Sequence, residues 1–151
     1  MSHKRISRAR KAIQMLAIAS ALLAAGCLRS TAPQPSVIQL NGTWKYTGVQ
    51  TQPVRENLTG TLTISRESGA SFQGQLLLLA TNEQSGQSTS LNGLVSGTES
   101  DGNVIDFDAD LETVRRHVGQ IVADTITGTW IGSASNGIMS SGTFRVERET
   151  Q

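Results

Sequence analysis

A glycine followed two residues later by an apolar side chain recurs along the chain, as Gly42-Thr43-Trp44, Gly60-Thr61-Leu62, Gly74-Gln75-Leu76, Gly93-Leu94-Val95, Gly119-Gln120-Ile121, Gly128-Thr129-Trp130 and Gly142-Thr143-Phe144. Residues i and i+2 share a face only in an extended strand. Each unit therefore sets a gap beside a bulky group on one face. That arrangement suits the tapering interior of a small barrel, and glycine permits the sharp bends that closure requires. Gly102 and Gly137 share the spacing but read as turn residues.

The spacing predicts eight strands, over about 41–49, 57–66, 71–81, 88–99, 103–111, 114–122, 125–133 and 138–148. Between them lie Glu67-Ser68-Gly69, Asn82–Gln87, Asp101-Gly102, Ala123-Asp124-Thr125 and Ser135-Asn136-Gly137. Asp-Gly and Asn-Gly favour hairpins because both residues tolerate positive φ. Short connections make sequence neighbours antiparallel, and eight such strands close without an exposed edge. The expected fold is all-β, an eight-stranded antiparallel up-and-down barrel, with a β-sandwich as the alternative.

Residues 1–11 carry Lys4, Arg5, Arg8, Arg10 and Lys11 and no acid, and residues 12–25 are apolar apart from Gln14 and Ser20. A basic start, a short apolar run and small residues after it make a secretory signal. Fourteen residues fall short of the roughly 20 that span a membrane. Leu23-Ala24-Ala25-Gly26-Cys27 resembles the lipobox of bacterial lipoproteins, with Ala24 where leucine is commonest. The resemblance implies that the Cys27 thiol is diacylated and the chain cut before it. An ordinary secretory signal with an incidental cysteine is the alternative. Acylation would account for the chain's single cysteine, which would otherwise be a reactive exported thiol. One acyl chain binds marginally and two or three hold firmly. Leu28, not aspartate, follows the cysteine. The resemblance then implies export and anchorage to the bacterial envelope, at the outer membrane facing the periplasm.

This divides the chain into a signal peptide at 1–26, the lipidated cysteine and a tether at 27–39, and a barrel domain at 40–151. The tether carries two of the three prolines. All 12 acids follow Cys27 while five of the 13 bases precede it, leaving eight bases against 12 acids and a formal charge of −4. Nucleic-acid binding wants clustered Lys and Arg, so that partner is not expected.

Leu40-Asn41-Gly42-Thr43-Trp44-Lys45-Tyr46 resembles the Gly-x-Trp opening strand of the calycin barrels, the lipocalins, avidins and their bacterial relatives. In lipocalins that tryptophan plugs the closed end beneath a late arginine, a part that Arg145 or Arg148 would take here. The domain is shorter than a lipocalin, without its C-terminal helix or the binding tryptophans of an avidin, so no ligand carries over.

Asp106, Asp108, Asp110 and Glu112 alternate with Ile105, Phe107, Ala109 and Leu111. The Asp-x-Asp-x-Asp spacing suggests a calcium loop, but Leu111 stands where glycine is needed and His117 where glutamate is. A strand with wet acids, paired across the hairpin by Arg115 or Arg116, is the simpler account. No metal site and no cofactor are expected. His117 has no second histidine or cysteine to complete a zinc site, and no Gly-x-Ser-x-Gly supplies a nucleophile. An enzyme is therefore the weakest reading.

Two phases are open for 114–122. In one, Arg115 and His117 share the interior face with Gly119 and Ile121 and form a polar mouth above an apolar cavity. In the other, which we prefer, that strand end is solvated or Val114, Val118 and Val122 turn inward. Leu76-Leu77-Leu78-Leu79 is apolar on both faces, so Leu77 and Leu79 point outward, covered by Val37, Ile38 and Leu40 or open to a partner. The expected role is a binding module for a small apolar or amphipathic ligand, with Trp44, Leu62, Leu76, Trp130 and Phe144 lining the cavity and Arg115 and His117 at its mouth. A filled barrel would instead favour an envelope-protein partner or an inhibitor role.

Overall fold

The computed structural model describes residues 38–101, 103–132 and 138–149. The signal segment, Cys27 and the tether up to residue 37 lie outside the described residues. Eight strands follow one another: β1 (Gly42–Gln52), β2 (Glu56–Ser68), β3 (Ser71–Asn82), β4 (Ser88–Ser100), β5 (Val104–Asp110), β6 (Val114–Val122), β7 (Thr125–Gly132) and β8 (Ser140–Arg148). Each pairs antiparallel with the next, and β8 returns to β1 to close the barrel. The sandwich alternative is set aside by that closure. Strand ends move by a few residues at most from the expected ones.

The interior phase follows from the glycine units. Trp44, Leu62, Leu76, Val95, Ile121, Trp130 and Phe144, the apolar members of the units, are all buried. Their glycines do more than leave gaps. A Cβ on Gly60 would lie 2.9 Å from both the Leu77 carbonyl carbon and the Leu78 Cα. At Gly119 it would lie 2.6 Å from the Thr127 carbonyl oxygen. The glycines thus let neighbouring backbones fold across one another where the sheet coils. At Gly69, by contrast, the β2–β3 turn needs φ of +60°, a conformation glycine adopts freely.

An aromatic chain runs through the interior. Phe107 stacks on His117 at 4.4 Å between ring centroids, Phe144 meets His117 edge-on at 5.1 Å, and Tyr46 stacks on Phe144 at 6.0 Å. Phe72 continues the chain at 6.1 Å from Phe107. A void large enough for a ligand would leave its lining exposed. Instead Trp44, Leu62, Leu76 and His117 are 0% exposed and Phe144 4%. The barrel is filled.

Candidate functional site

The two ends of the barrel differ in how their polar groups are satisfied. At the end where β1 begins, Leu40 enters the core and Trp44 lies beneath the Arg148 guanidinium, 4.2 Å from ring centroid to Cζ. The Trp44 indole N–H donates to the Leu40 carbonyl at 2.9 Å. Arg148 donates to the carbonyls of Asn41 (2.8 Å) and Gln39, and its Nε donates to Asp124 at 3.0 Å. The Leu40 amide donates to the Glu67 carboxylate. Of the two arginines offered by the lipocalin resemblance, Arg148 takes the place. Arg145 points to solvent and pairs with Glu147 at 2.5 Å.

At the opposite end lie the β1–β2, β3–β4 and β5–β6 connections, with the end of β7 and the start of β8. Here the preferred phase of β6 is corrected: Arg115, His117, Gly119 and Ile121 face inward, while Val114, Val118 and Val122 are exposed. Pairing decides this. His117 stands opposite Phe107 and Trp130, both interior, and a one-residue slip would turn the whole strand over. Three valines at every fourth position are affordable outside the barrel because small apolar groups on a strand's wet face cost little.

His117 belongs to a buried hydrogen-bond chain. The Arg115 carbonyl can only accept, so Nδ1–H of His117 donates to it at 3.0 Å and Nε2 is left to accept from the Tyr46 hydroxyl at 3.2 Å. Burial lowers the His117 pKa to about 4, with the Arg115 charge adding to that and the bond to the Arg115 carbonyl opposing it. The ring is neutral at pH 7, and both nitrogens are engaged inside the barrel. It does not serve as a base toward solvent. Burial also pushes the Tyr46 phenol well above its ordinary value. Gln50, buried beside this end, donates from Nε2 to the Val54 carbonyl at 3.1 Å.

Arg115 was one of two arginines expected to pair with the outward acids. Only Arg116 does, through a two-point contact with Asp106 at 3.1 and 2.6 Å. That contact holds the Asp106 carboxyl below its usual range. Asp108 and Asp110 are exposed, and among the described residues no three His, Cys, Asp or Glu side chains gather as a metal set. Arg115 turns inward to lie over Trp130, 4.6 Å from Cζ to ring centroid. Burial pulls its pKa down, and Tyr46, Glu56 and Glu112 act in the other direction. Among the described residues its Nε and Nη1, together with Trp130 Nε1, are buried without a hydrogen-bond partner.

The structure thus gathers Arg115, His117 and Trp130 at one end, with Phe144 and Tyr46 next to His117. Trp44 belongs to the far end, and Leu62 and Leu76 to the packed interior. Depressions of about 580 and 400 Å³ lie on the outer wall, over Gln73, Ser96 and Asp108, outside the lumen. Leu77 and Leu79 do point outward, 53% and 43% exposed. The expected cover is corrected, since Leu40 is in the core and Ile38 packs against it; Val37 lies outside the described residues. Sequence reasoning left Tyr46, Phe72 and Gln50 out of the site, while Phe107 lies on the apolar face it expected for 105–111. Tyr46 was accessible to it, being two residues past Trp44 on the same face.

No family model matches this chain. No curated protein matches it either. Among solved structures it is similar to the barrel EF1p2_mFAP2b bound to DFHBI, at TM-score 0.58 and 12% identity over 73% of this chain and 94% of that one. It is also similar to the redesigned barrel b11L5F_LGL, at TM-score 0.54 and 17% identity over 74% and 92%. Bovine odorant binding protein, complexed with its natural ligand, aligns at TM-score 0.47 and 15% identity over 78% and 79%. The likeness to the two designed barrels is one of fold, the closed eight-stranded barrel.

Proposed function

We propose that this chain is a lipid-anchored protein of the bacterial envelope, at the outer membrane facing the periplasm, whose barrel binds a small amphipathic molecule at the Arg115–Trp130 end. One observation carries the reading: the ends are unequal. At the Trp44 end the indole and the three donating nitrogens of Arg148 all find acceptors, whereas at the other end Arg115 Nε, Arg115 Nη1 and Trp130 Nε1 find none among the described residues. Buried polar groups are nearly always paired, and exceptions in a folded protein call for a functional cause. Barrels of this fold can hold a small molecule, as EF1p2_mFAP2b holds DFHBI. With the interior filled, the ligand sits at the mouth and not deep in the lumen, so Arg115 and Trp130 are its residues. The anchoring half of the reading rests on the basic start, the short apolar run and Cys27.

A second reading has its own observation. Leu77, Leu79 and Leu94 form an exposed apolar strip across β3 and β4, because Leu94 pairs with Gln75 and so lies diagonal to Leu77. Such a strip fits an envelope-protein partner meeting the outer wall.

Native mass spectrometry of the full chain, purified gently from its own host, separates the two. A retained small molecule, lost on Arg115→Met, supports the mouth site. A bare mass together with crosslinks from β3 to another envelope protein would replace it with the second reading.

A further inference from the structure

We propose that the mouth selects a ligand whose polar head offers acceptor oxygens and no donors, held by the guanidinium of Arg115 and the indole N–H of Trp130; this rests on the reading of that end as the binding site. The groups around them set the chemistry. Among the described residues, the Arg115 carbonyl is engaged by His117, His117 Nε2 by Tyr46 and the Val54 carbonyl by Gln50, while the Glu56 and Glu112 carboxylates act on Arg115 only through space. The buried side-chain groups left unpaired among the described residues are all donors. Nε and Nη1 are not the two members of one guanidinium fork, so meeting both takes acceptors on two edges. The Trp130 ring that carries the guanidinium at 4.6 Å brings the third donor into the same small region.

Charge is not what the site lacks. Glu56 and Glu112 already act on Arg115 through space, yet neither forms an ion pair with it among the described residues. A contact acceptor is missing, and a ketone, ester or amide oxygen supplies it as well as a carboxylate does. An ammonium head would meet three donors and a cation. A buried donor without a partner costs about 1–3 kcal/mol, more when charged, and an arriving acceptor recovers that.

The two tryptophans of the chain make the test self-controlled, because the Trp44 indole is already bonded to Leu40 and the Trp130 indole is free. The 15N-labelled full chain in a nonionic detergent is titrated with 2-butanone, butanoate and butylammonium while both indole N–H signals are followed. Both acceptor probes are expected to shift the Trp130 signal saturably, with Trp44 unmoved and butylammonium silent. Arg115→Met should weaken the acceptor probes about tenfold or more. Arg115→Lys, which keeps the charge but loses the planar donors, serves if the methionine variant does not fold. The inference is overturned if butylammonium shifts Trp130 as the acceptors do, if no probe shifts it, or if the folded variants bind unchanged. An endogenous ligand retained at the mouth through a donor head would leave the binding-site reading standing and remove this inference alone.

Discussion

A single histidine illustrates how burial sets chemistry at the residue scale. His117 is enclosed by Phe107, Phe144 and Trp130, bonded to Tyr46 and to the Arg115 carbonyl, with the Arg115 cation beside it. Its pKa falls to about 4 in the folded protein against an ordinary 6.5. The unfolded chain therefore takes up a proton, as pH drops below about 6.5, that the folded chain refuses until about 4. Stability is full above that window and is lost through it, by up to about 3 kcal/mol at about 1.4 kcal/mol per pH unit. Urea melts of the wild type and of His117→Phe at pH about 7 and about 4.5 isolate this from the carboxylates, which both chains share. The variant should lose distinctly less stability between the two values. Equal losses would mean that the imidazole titrates as if in water. The other buried donors make the same point with opposite outcome: His117 closes its network, and Arg115 does not.

At the scale of elements, the glycines determine how the sheet coils. On Gly60 an added methyl would press on the backbone of β3 at Leu77 and Leu78, where no side chain can move aside. Gly60→Ala must either part β2 from β3 or bend both, and overpacking of that kind costs about 1–3 kcal/mol. A shift of the denaturation midpoint at constant slope would register it, while an unchanged midpoint would mean that the two backbones are further apart at this crossing. These same glycines made the strands legible. Spacing of two marks one face, and Trp44, Leu62, Leu76, Trp130 and Phe144 all lie inside as the repeat requires. The phase of β6 was harder, because its valines and its His117/Arg115 face compete, and what decides between them is remote. Tyr46, 71 positions away, supplies the hydroxyl that makes a buried histidine tolerable. A linear reading sees the polar residue and not its partner. The choice of Arg148 over Arg145 has the same origin, since it turns on carbonyls of Gln39 and Asn41 more than 100 residues distant.

The barrel is a closed wall with two unlike ends, and residues 38–40 enter it at the satisfied one. Ile38, Gln39 and Leu40 lead into β1 beside Trp44 and Arg148. Closure also separates anchoring from folding. β1 to β8 pair all round between Gly42 and Arg148, and among the described residues the buried core begins at Leu40, with Ile38 packed against it. No disulfide ties the barrel to its lead-in, because Cys27 is the chain's one cysteine. If that thiol carries the acyl chains, each buried methylene contributes about 0.8 kcal/mol to membrane attachment and none to the barrel. Cys27→Ala should then move the protein from the membrane to the soluble fraction while its urea midpoint, measured on the same preparation, stays where it was. Retention on the membrane at wild-type strength would mean that something other than lipid at Cys27 holds the protein there. Release accompanied by a fall in midpoint would mean that the lead-in supports the barrel, against a wall that closes without it.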